Sequence, residues 1–307
     1  MTFDDALTAF LLSREAINCK PRTLDWYRQQ IGRFHEWLLA QSWNGSTWLQ
    51  PEVLEAFLAA ERRRGRADST VRARHRGLKV FFSWLKERSY LPEEVKNPAK
   101  VVKLGREERE EPRYARQTEV TALLASIEPG DWLDLRDRAL IMLLDQAGVR
   151  VSEAAGLTVA DVDIYKRTVY VRQERSKSGR GRRAPFKPSL VLAFLSYLDV
   201  RPDVGPWLFV AATGGHRTPH RGALTDNGVR QMLRRRCEVA GIEYINPHAF
   251  RHGLAMRLLN DGKAPTSVIQ QVLGHSSEST TRKFYARWES DALVDAYDEF
   301  IGRADDR

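Results

Sequence analysis

The amino-acid sequence predicts a mainly α-helical protein with a small antiparallel β-sheet, divided into two domains. Three observations support this fold class. Apolar residues recur at helical spacing through residues 1–95. A charged stretch with prolines and glycines, residues 96–112, interrupts that pattern. Beyond it, residues 113–307 add further helices and a segment, 168–172, whose alternation of residue types is typical of a β-strand.

The first domain is expected to contain four helices. Thr2 can cap the first helix. Pro21 and Pro51 suit the starts of the second and third helices. The first N–H groups of a helix have no partner within the helix, so proline, which lacks an N–H, loses no hydrogen bond there. Gly65 is a typical end for the third helix, and a fourth begins near Ser69. All four carry an apolar stripe, so they are expected to pack around one core.

The fourth helix carries a second stripe, which is cationic. Arg72, Arg76 and Lys79 lie on one face, beside the apolar stripe. Lysine and arginine on a helix face are often simply solvated. Their density here, with few acids between them, favours contacts with DNA phosphates, which position a protein without reading sequence.

The stretch between the two domains is predicted to be a linker. Pro98, Gly105 and Pro112 punctuate residues 96–112, which are also highly charged. Such a composition is typical of a flexible connection. We expect it to let the two domains close around a ligand.

The second domain is predicted to place a pair of strands between groups of helices. The turn between these strands, residues 176–181, is dense in cations. In chain order, the patterns predict helices at 118–127, 132–147 and 152–157, strands at 168–172 and 182–186, a helix at 189–198, a short strand at 207–210, a glycine-rich loop at 213–222, and helices beginning near 226, 247, 266 and 291.

The balance of charged residues indicates a polyanionic partner. The 307-residue chain has a formal net charge of +9, and nucleic acid is the first candidate for such a partner. The two cysteines, Cys19 and Cys237, lack the spacing of a zinc site and suit a reducing compartment. No apolar run approaches the roughly 20 residues of a membrane span. We therefore expect a cytoplasmic, nucleoid-associated protein without a cysteine-based zinc site.

A short segment combines a helix start with several cations. Asn246 suits the N-cap and Pro247 the first helical position. His248 and Arg251 are three residues apart and so share one face of that helix. A helix start attracts phosphate through its free N–H groups and its dipole. His248 could transfer protons there and Arg251 could hold a phosphate, although the segment alone would also fit an ordinary basic surface helix.

Further groups suited to phosphate chemistry are spread along the second domain. Arg150 follows a helix end, Lys177 lies in the predicted strand–strand turn, His275 follows a glycine at a helix end, and Tyr285 comes ten residues later. Each has an ordinary reading by itself: a surface arginine, an exposed lysine, a helix-cap partner, a half-buried loop tyrosine. Their order along the chain is the informative feature.

In that order, these residues resemble the tyrosine recombinase family, also called the phage integrase family. The matching segments are Gly148-Val149-Arg150-Val151-Ser152-Glu153, Ser176-Lys177-Ser178-Gly179, His248-Ala249-Phe250-Arg251-His252, and Leu273-Gly274-His275-Ser276-Ser277 followed by Tyr285. The resemblance covers the whole chain. It implies an all-helical, SAM-like core-binding domain at residues 1–95, a linker at 96–112, and an α+β catalytic domain with a C-terminal tail helix at 113–307.

Two positions depart from the family pattern. The tyrosine usually lies nine positions after the Leu-Gly-His histidine, which here is Phe284, whereas Tyr285 is one position further. We take Tyr285 as the nucleophile, because a loop can absorb one residue and no other tyrosine lies close by. Phe250 stands where leucine is usual, and we expect that change to affect packing only.

The resemblance implies strand exchange through a covalent 3′-phosphotyrosyl link, without metal, nucleotide or other cofactor. A tyrosine hydroxyl has a pKa near 10, so Tyr285 needs a base and nearby cations to attack a phosphodiester. His248 is the expected base. Arg150 and Arg251 are expected to hold the non-bridging oxygens, and Lys177 to protonate the departing 5′ oxygen.

His275 is the remaining expected catalytic residue and would donate a hydrogen bond to the same phosphate. Two further residues are assigned supporting roles. Glu153 would orient the nearby cations or act only as a salt-bridge partner, and His252 would pack or orient. The residues expected to contact DNA elsewhere are Arg72, Arg76, Lys79, Arg180, Arg230 and Arg234.

The resemblance also implies an assembly on duplex DNA. The expected substrate has paired inverted sites, and the expected assembly is a homotetramer, or one shared with a second related recombinase, that passes through a Holliday junction. The tail helix from residue 291 would exchange between protomers. Because the chain begins with the core-binding domain, we expect a Xer-like enzyme of chromosome partition and plasmid dimer resolution, or an integrase of a mobile element. Two alternatives are a type IB topoisomerase-like relaxing enzyme and a non-catalytic DNA-binding protein on the same fold.

Overall fold

The computed structural model describes residues 2–41, 47–105, 113–173, 181–213, 217–260 and 264–274. The chain divides into two compact units, Met1–Glu110 and Glu111–Arg307. The described residues are mainly helical with two small antiparallel sheets, which confirms the predicted fold class. Within these ranges, no helix has the length and apolar character needed to cross a membrane.

The first unit is all-helical in its described part. Its helices are α1 (Phe3–Ala16), α2 (Pro21–Ala40), α3 (Pro51–Arg63), α4 (Asp68–Glu87) and α5 (Pro98–Val101). Thr2 caps α1 through a hydrogen bond from the Asp5 N–H. The apolar stripe of α4 faces a core rich in phenylalanine, where Phe34, Phe57 and Phe82 are fully buried. Several aromatic pairs in this core meet edge-to-face, among them Phe34 with Phe57 and Phe34 with Phe82, an arrangement that suits the charge distribution of the rings.

The first part of the predicted linker is packed against the first unit. The Asn97 side chain caps α5 by accepting from the Ala99 N–H at 2.9 Å, and donates to the Lys79 carbonyl at 3.1 Å. Ala99 and Val102 are buried. The first residues of the predicted linker thus form a helix that packs on α3 and α4, through a small apolar face within a charged composition. Residues 106–112 lie outside the described ranges.

The second unit surrounds one long helix. Its helices are α6 (Gln117–Ala125), α7 (Trp132–Ala147), α8 (Val151–Ala155), α9 (Pro188–Val200), α10 (Asp226–Val239), α11 (Pro247–Asn260) and α12 (Thr266–Leu273). Helix α7 packs against both α9 and α11. Leu140, Leu143 and Leu144 are fully buried, and so is most of the rest of α7. This helix is the core of the unit, and its two ends carry the charged groups described below.

Two antiparallel sheets lie in this unit. The strands are β1 (Val162–Asp163), β2 (Thr168–Val171), β3 (Arg182–Pro185), β4 (Val210–Ala212) and β5 (Pro219–Ala223). The first three form one sheet in the order β1-β2-β3, with Val169 opposite Ala184. Strand β5 lies where a glycine-rich loop was predicted. Its sequence has no alternation of apolar and polar residues, and the strand is defined only by its pairing with β4. Thr225 caps α10, since its Oγ1 accepts from the Gly228 N–H at 3.0 Å.

Candidate active site

Four segments of the second unit meet at the C-terminal end of α7. They are residues 148–153, the start of β3, the first turn of α11 and the end of α12. Hydrogen bonds between side chains and backbone join segments that are more than a hundred positions apart in the sequence. Three of the predicted catalytic residues, Arg150, His248 and Arg251, belong to these segments.

Gly148 makes the corner that presents Arg150. Its φ of 57° is left-handed, a region that glycine enters without a steric penalty. A Cβ at this position would lie 2.8 Å from Leu273 Cδ2 and 2.9 Å from Leu254 Cδ2. The close approach of α11 and α12 therefore requires glycine here. The corner ends α7 and makes Arg150 the N-cap residue of α8.

Two arginines share one buried carboxylate beside this corner. We call Arg150, Glu153 and Arg182 the Glu153 cluster. Glu153 Oε1 accepts from Arg150 Nη1 at 2.8 Å and from Arg182 Nη1 at 3.0 Å. Glu153 Oε2 accepts from the Arg150 N–H and from Arg182 Nη2, both at 2.8 Å. Glu153 therefore contacts Arg150, whose orientation it was predicted to assist.

The charges of the cluster keep Glu153 ionised. Burial by itself raises the pKa of Glu153, because the interior disfavours an isolated charge. The hydrogen bonds and charge of Arg182, followed by the hydrogen bonds of Arg150, outweigh burial and lower the pKa to about 2. At neutral pH the cluster therefore holds two positive charges and one negative charge.

Helix α11 brings Arg251 to the same place. Asn246 caps the helix as predicted, since its Oδ1 accepts from the Ala249 N–H at 3.0 Å. Arg251 is only 5% exposed. It donates to the Gly148 carbonyl at 2.6 Å and to the Leu273 carbonyl at 2.5 Å. Arg251 thereby ties α11 to the corner before Arg150 and to the end of α12.

The two histidines of α11 lie in different surroundings. His248 is exposed on the turn that also carries Arg251, whereas His252 is half-buried. Burial, followed by the positive charges of His248 and Arg251, lowers the pKa of His252 to about 4. His252 is therefore neutral at pH 7, and the packing role predicted for it remains a prediction.

The end of α12 reaches both arginines of the Glu153 cluster. Gly274 has a left-handed φ of 65°, and its carbonyl accepts from Arg150 Nη2 at 3.4 Å. A Cβ at Gly274 would lie 2.6 Å from Arg182 Cδ. Arg150 and Arg251 thus donate to two consecutive carbonyls, those of Gly274 and Leu273. The next residue in the sequence is His275.

Several predicted site residues lie outside the described ranges. They are Lys177, Arg180, His275 and Tyr285, together with the predicted tail helix from residue 291. Their roles stay predictions that rest on the sequence.

The predicted DNA-contacting residues of α4 differ in their partners. Arg76 and Lys79 are exposed, and the Arg76 guanidinium lies 6.0 Å from the centre of the Trp26 ring. Arg72 donates to Asp68 at 2.5 Å and to the Gly105 carbonyl at 2.7 Å. Arg74 of the same helix is buried in an ion pair with Glu61 of α3 at 2.5 Å. Helical spacing alone does not distinguish Arg74 from its exposed neighbours, because its burial depends on the packing of α4 against other helices.

The predicted DNA-contacting residues of α10 are accessible. Arg230 is half-buried, and Arg234 is exposed with its guanidinium 5.1 Å from the centre of the Tyr244 ring. In the last turn of α10, Cys237 is buried, whereas Val239 is 68% exposed.

A second charged cluster, which the sequence did not predict, lies at the other end of α7. We call it the Asp134 cluster, and its members are Asp131, Asp134, Arg136, Asp137, Arg217 and Arg236. Asp137 accepts from Arg136 at 2.6 Å and from Arg236 at 2.8 Å. Arg217 pairs with both Asp131 and Asp134. Three arginines and three aspartates thus balance one another between α7, α10 and the turn before β5.

Arg182 is the member of the site that sequence reasoning missed. It begins β3, where Ala184 is buried and Arg183 is exposed. Arg182 therefore occupies an inward position of the strand. A charged residue at an inward position of a strand indicates that an oppositely charged side chain lies in the interior beside it. This pattern was available in the sequence.

Comparisons with known proteins agree with this geometry. Residues 113–291 match the phage integrase family. The chain is 32% identical over 298 residues to tyrosine recombinase XerC of Actinobacillus succinogenes, covering 92% of each chain. It is 35% identical over 242 residues to tyrosine recombinase XerC of Mycobacterium leprae, covering 76% of this chain and 77% of the relative.

Solved structures share the fold across both units. The integrase of transposon Tn1549 in complex with transposon right end DNA has a TM-score of 0.72 and 20% identity, covering 96% of this chain and 100% of that chain. A lambda integrase dimer bound to a COC′ core site has a TM-score of 0.68 and 17% identity, covering 92% and 95%.

The family match spans every described residue of the proposed catalytic centre, and the relatives extend the likeness through the first unit. Neither comparison favours the topoisomerase-like or the non-catalytic alternative. The chain belongs to the phage integrase family and is a Xer-like tyrosine recombinase, an enzyme of site-specific DNA recombination.

Proposed function

We propose that the chain cleaves and rejoins DNA through a covalent 3′-phosphotyrosyl link formed by Tyr285. The tyrosine oxygen attacks the scissile phosphorus and the 5′ oxygen of the next nucleotide leaves. His248 takes the tyrosine proton, and Lys177 supplies a proton to the leaving oxygen. A 5′ hydroxyl from another strand then attacks the link and regenerates the tyrosine. One ester replaces another at each step, so no high-energy cofactor is required.

The meeting of Arg150 and Arg251 is the single observation that carries this proposal. They come from segments a hundred residues apart and donate to the consecutive carbonyls of Gly274 and Leu273. A guanidinium offers five N–H donors, so each arginine can bind a carbonyl and a phosphate oxygen at once. Two such groups stabilise the charge that builds up on a pentacoordinate phosphorus.

The surroundings of His248 support its role as the base. Its neighbours Ala249, Phe250 and Arg251 are buried, whereas His248 itself is exposed on the same turn. Imidazole is the side chain best suited to exchange a proton near neutral pH. The rigid helix start would direct the imidazole toward a phosphate held by Arg251.

The proposed partner is duplex DNA with paired inverted sites, bound by four protomers. Arg76 and Lys79 of α4, with Arg230 and Arg234 of α10, would contact backbone phosphates. Exchange proceeds through a Holliday junction, in the cytoplasm, at the nucleoid. The likeness to proteins named XerC favours chromosome partition or plasmid dimer resolution over mobile-element integration.

Capture of the covalent intermediate tests the reaction. The full chain is incubated in EDTA with a half-site DNA that carries a nick next to the scissile phosphate, so that the cleaved end diffuses away. We expect a protein–DNA adduct that survives SDS and is absent in Tyr285→Phe. The matched control is Phe284→Tyr in the Tyr285→Phe background, which tests whether a tyrosine at the position usual for the family can form the adduct. An adduct that persists in Tyr285→Phe alone would exclude Tyr285 as the nucleophile.

The proposed tail exchange has its own test. The predicted helix from residue 291 has a broad apolar face, and we propose that it docks on a neighbouring protomer. A chain ending after Arg287 keeps Tyr285 and should still form the adduct on a half-site, but should lose cooperative assembly on paired sites in a gel-shift experiment. Unchanged cooperativity would contradict the exchange.

A further inference from the structure

The start of β3 carries a charge that the reaction scheme above does not use. Only 11% of the Arg182 side chain is exposed. Burying a guanidinium is unfavourable unless a carboxylate or several carbonyls balance it. Here the balance comes from both oxygens of Glu153, at 3.0 and 2.8 Å.

We propose that Arg182 is a positioning residue for strand cleavage, which holds the Glu153 carboxylate in the orientation that directs the Arg150 guanidinium. This inference rests on the proposed role of Arg150 as a phosphate clamp. Arg150 binds the same carboxylate twice, through Nη1 and through its backbone N–H. Arg182 therefore acts on the reaction through Glu153, without contact with the DNA.

The geometry shows what Arg182 adds to the contact between Arg150 and Glu153. The terminal torsion of a glutamate side chain is soft, and Arg150 donates to its two oxygens from one backbone group and one side-chain group. The planar fork of Arg182 adds a second donor to each oxygen, so the carboxylate keeps its orientation when the Arg150 side chain moves. Its charge also helps to keep the buried carboxylate ionised, as the pKa of about 2 indicates. Arg150 is then held by a group that neither turns nor takes up a proton at neutral pH.

Arg182 also touches the segment that leads to His275. Its stem packs on Gly274, where a Cβ would lie 2.6 Å from Cδ and 2.7 Å from Nε. The carbonyl of Gly274 accepts from Arg150. One side chain thus contacts the carboxylate that holds Arg150 and the residue before His275. It also stands five positions after Lys177 in the sequence.

The test compares Arg182→Gln with Arg183→Gln, which removes the same charge from the exposed side of the same strand. The full chain reacts with two nicked half-site DNAs, and the rate of Tyr285 adduct formation is measured in a single turnover. One DNA is unmodified. In the other, a methyl group replaces a non-bridging oxygen of the scissile phosphate and removes the negative charge that Arg150 would hold.

We expect Arg182→Gln to slow cleavage of the unmodified DNA by about 10- to 100-fold, the range seen when residues that orient metal ligands are removed. On the uncharged DNA the loss should be much smaller, because Arg150 has no phosphate charge to hold. Arg183→Gln should match the wild type on both. Equal losses by Arg182→Gln on the two DNAs would show a general structural role and overturn the inference. An Arg183→Gln loss as large as that of Arg182→Gln would also overturn it.

Two further variants keep the test decisive if Arg182→Gln folds poorly in a thermal melt. Arg182→Lys keeps the charge without the fork, and should be slowed less than Arg182→Gln. In a Glu153→Gln background, adding Arg182→Gln should cause little further loss, whereas additive losses would contradict action through Glu153. A wild-type chain that forms no adduct defeats the proposed function itself. A wild-type adduct with an unaffected Arg182→Gln defeats only this inference.

Discussion

The two ends of α7 carry charged clusters of opposite design. At the N-terminal end, the Asp134 cluster sets three arginines against three aspartates. At the C-terminal end, the Glu153 cluster sets two arginines against one carboxylate, and Arg251 stands close by on backbone carbonyls. Both hold a carboxylate that is almost completely buried, Asp137 in the first and Glu153 in the second.

We propose that this difference separates a structural cluster from a binding site. Buried charges that balance one another join elements of the fold, and they leave little net charge to attract a charged ligand. An excess of buried positive charge is costly in the free protein and becomes favourable when an anion binds. The Glu153 cluster, with Arg251, has that excess at the place where a DNA phosphate is proposed to lie.

The largest expected effect comes from breaking the balanced cluster. Asp137→Asn would leave Arg136, which is 2% exposed, without its carboxylate. Removing one partner of a buried pair typically costs about 3–5 kcal/mol, so urea unfolding should show a loss of that size in the free energy of unfolding. The adduct rate per folded molecule should stay unchanged. Arg217→Gln, whose side chain is 52% exposed, is the control and should cost only about 0–1 kcal/mol.

The corresponding change in the Glu153 cluster should affect the reaction instead. Arg150→Gln removes a donor to the proposed phosphate but leaves Arg182 on Glu153. Loss of one pre-oriented donor typically lowers a rate by about 10²–10³-fold, which single-turnover adduct formation would measure. The urea midpoint should move much less than for Asp137→Asn. A large shift in that midpoint with normal cleavage would erase the distinction between the clusters.

The pH dependence of stability sharpens the comparison further. The pKa of His252 is lowered in the folded state to about 4, so the unfolded chain binds its proton first. His252 should therefore lower the free energy of unfolding as pH falls from about 6.5 to about 4, by on the order of 1 kcal/mol after allowance for partial exposure. Glu153 loses its contribution lower, between the normal glutamate range and about pH 2.

Urea unfolding at a series of pH values checks this assignment with His252→Gln. The variant should lose the decline between pH 6.5 and 4.5 and keep the steeper one below it. A decline that persists unchanged in His252→Gln would place its origin in another group.

The smallest expected effect concerns the surface cations of α4. Arg76 is exposed, whereas Arg72 is bound to Asp68 at 2.5 Å. If a balanced charge indicates a structural role in α4 too, Arg76→Gln should remove about one phosphate contact. The slope of log affinity against log salt concentration should then become less steep by about 1. Arg72→Gln should reduce it less. Titrations of DNA binding at several salt concentrations measure both, and the reverse order would show that the pairing of Arg72 does not remove it from the interface.

Much of the fold could be predicted because its signals are local. Helix α7 was predicted with both ends correct, since Asp131 caps its start and Gly148 its end. The end of α12 at Gly274 was predicted for the same reason. Strand β5 and the packing of α5 were not, because a partner distant in sequence stabilises each of them. The spacing of residue types in the sequence predicts helix starts and core positions. It does not predict elements that are stabilised by a distant partner.

The sequence by itself was sufficient to identify the order of the predicted catalytic residues and the family that this order indicates. Those residues are Arg150, Lys177, His248, Arg251, His275 and Tyr285. Residue type and spacing are sufficient for that, because each motif is contained within one turn or one helix start. Only the tertiary structure decided which cations are balanced. It paired Arg74 with Glu61 and brought Arg182 to Glu153 across 29 positions. Ion pairing depends on distances of a few ångströms between remote segments, and only packing sets those distances.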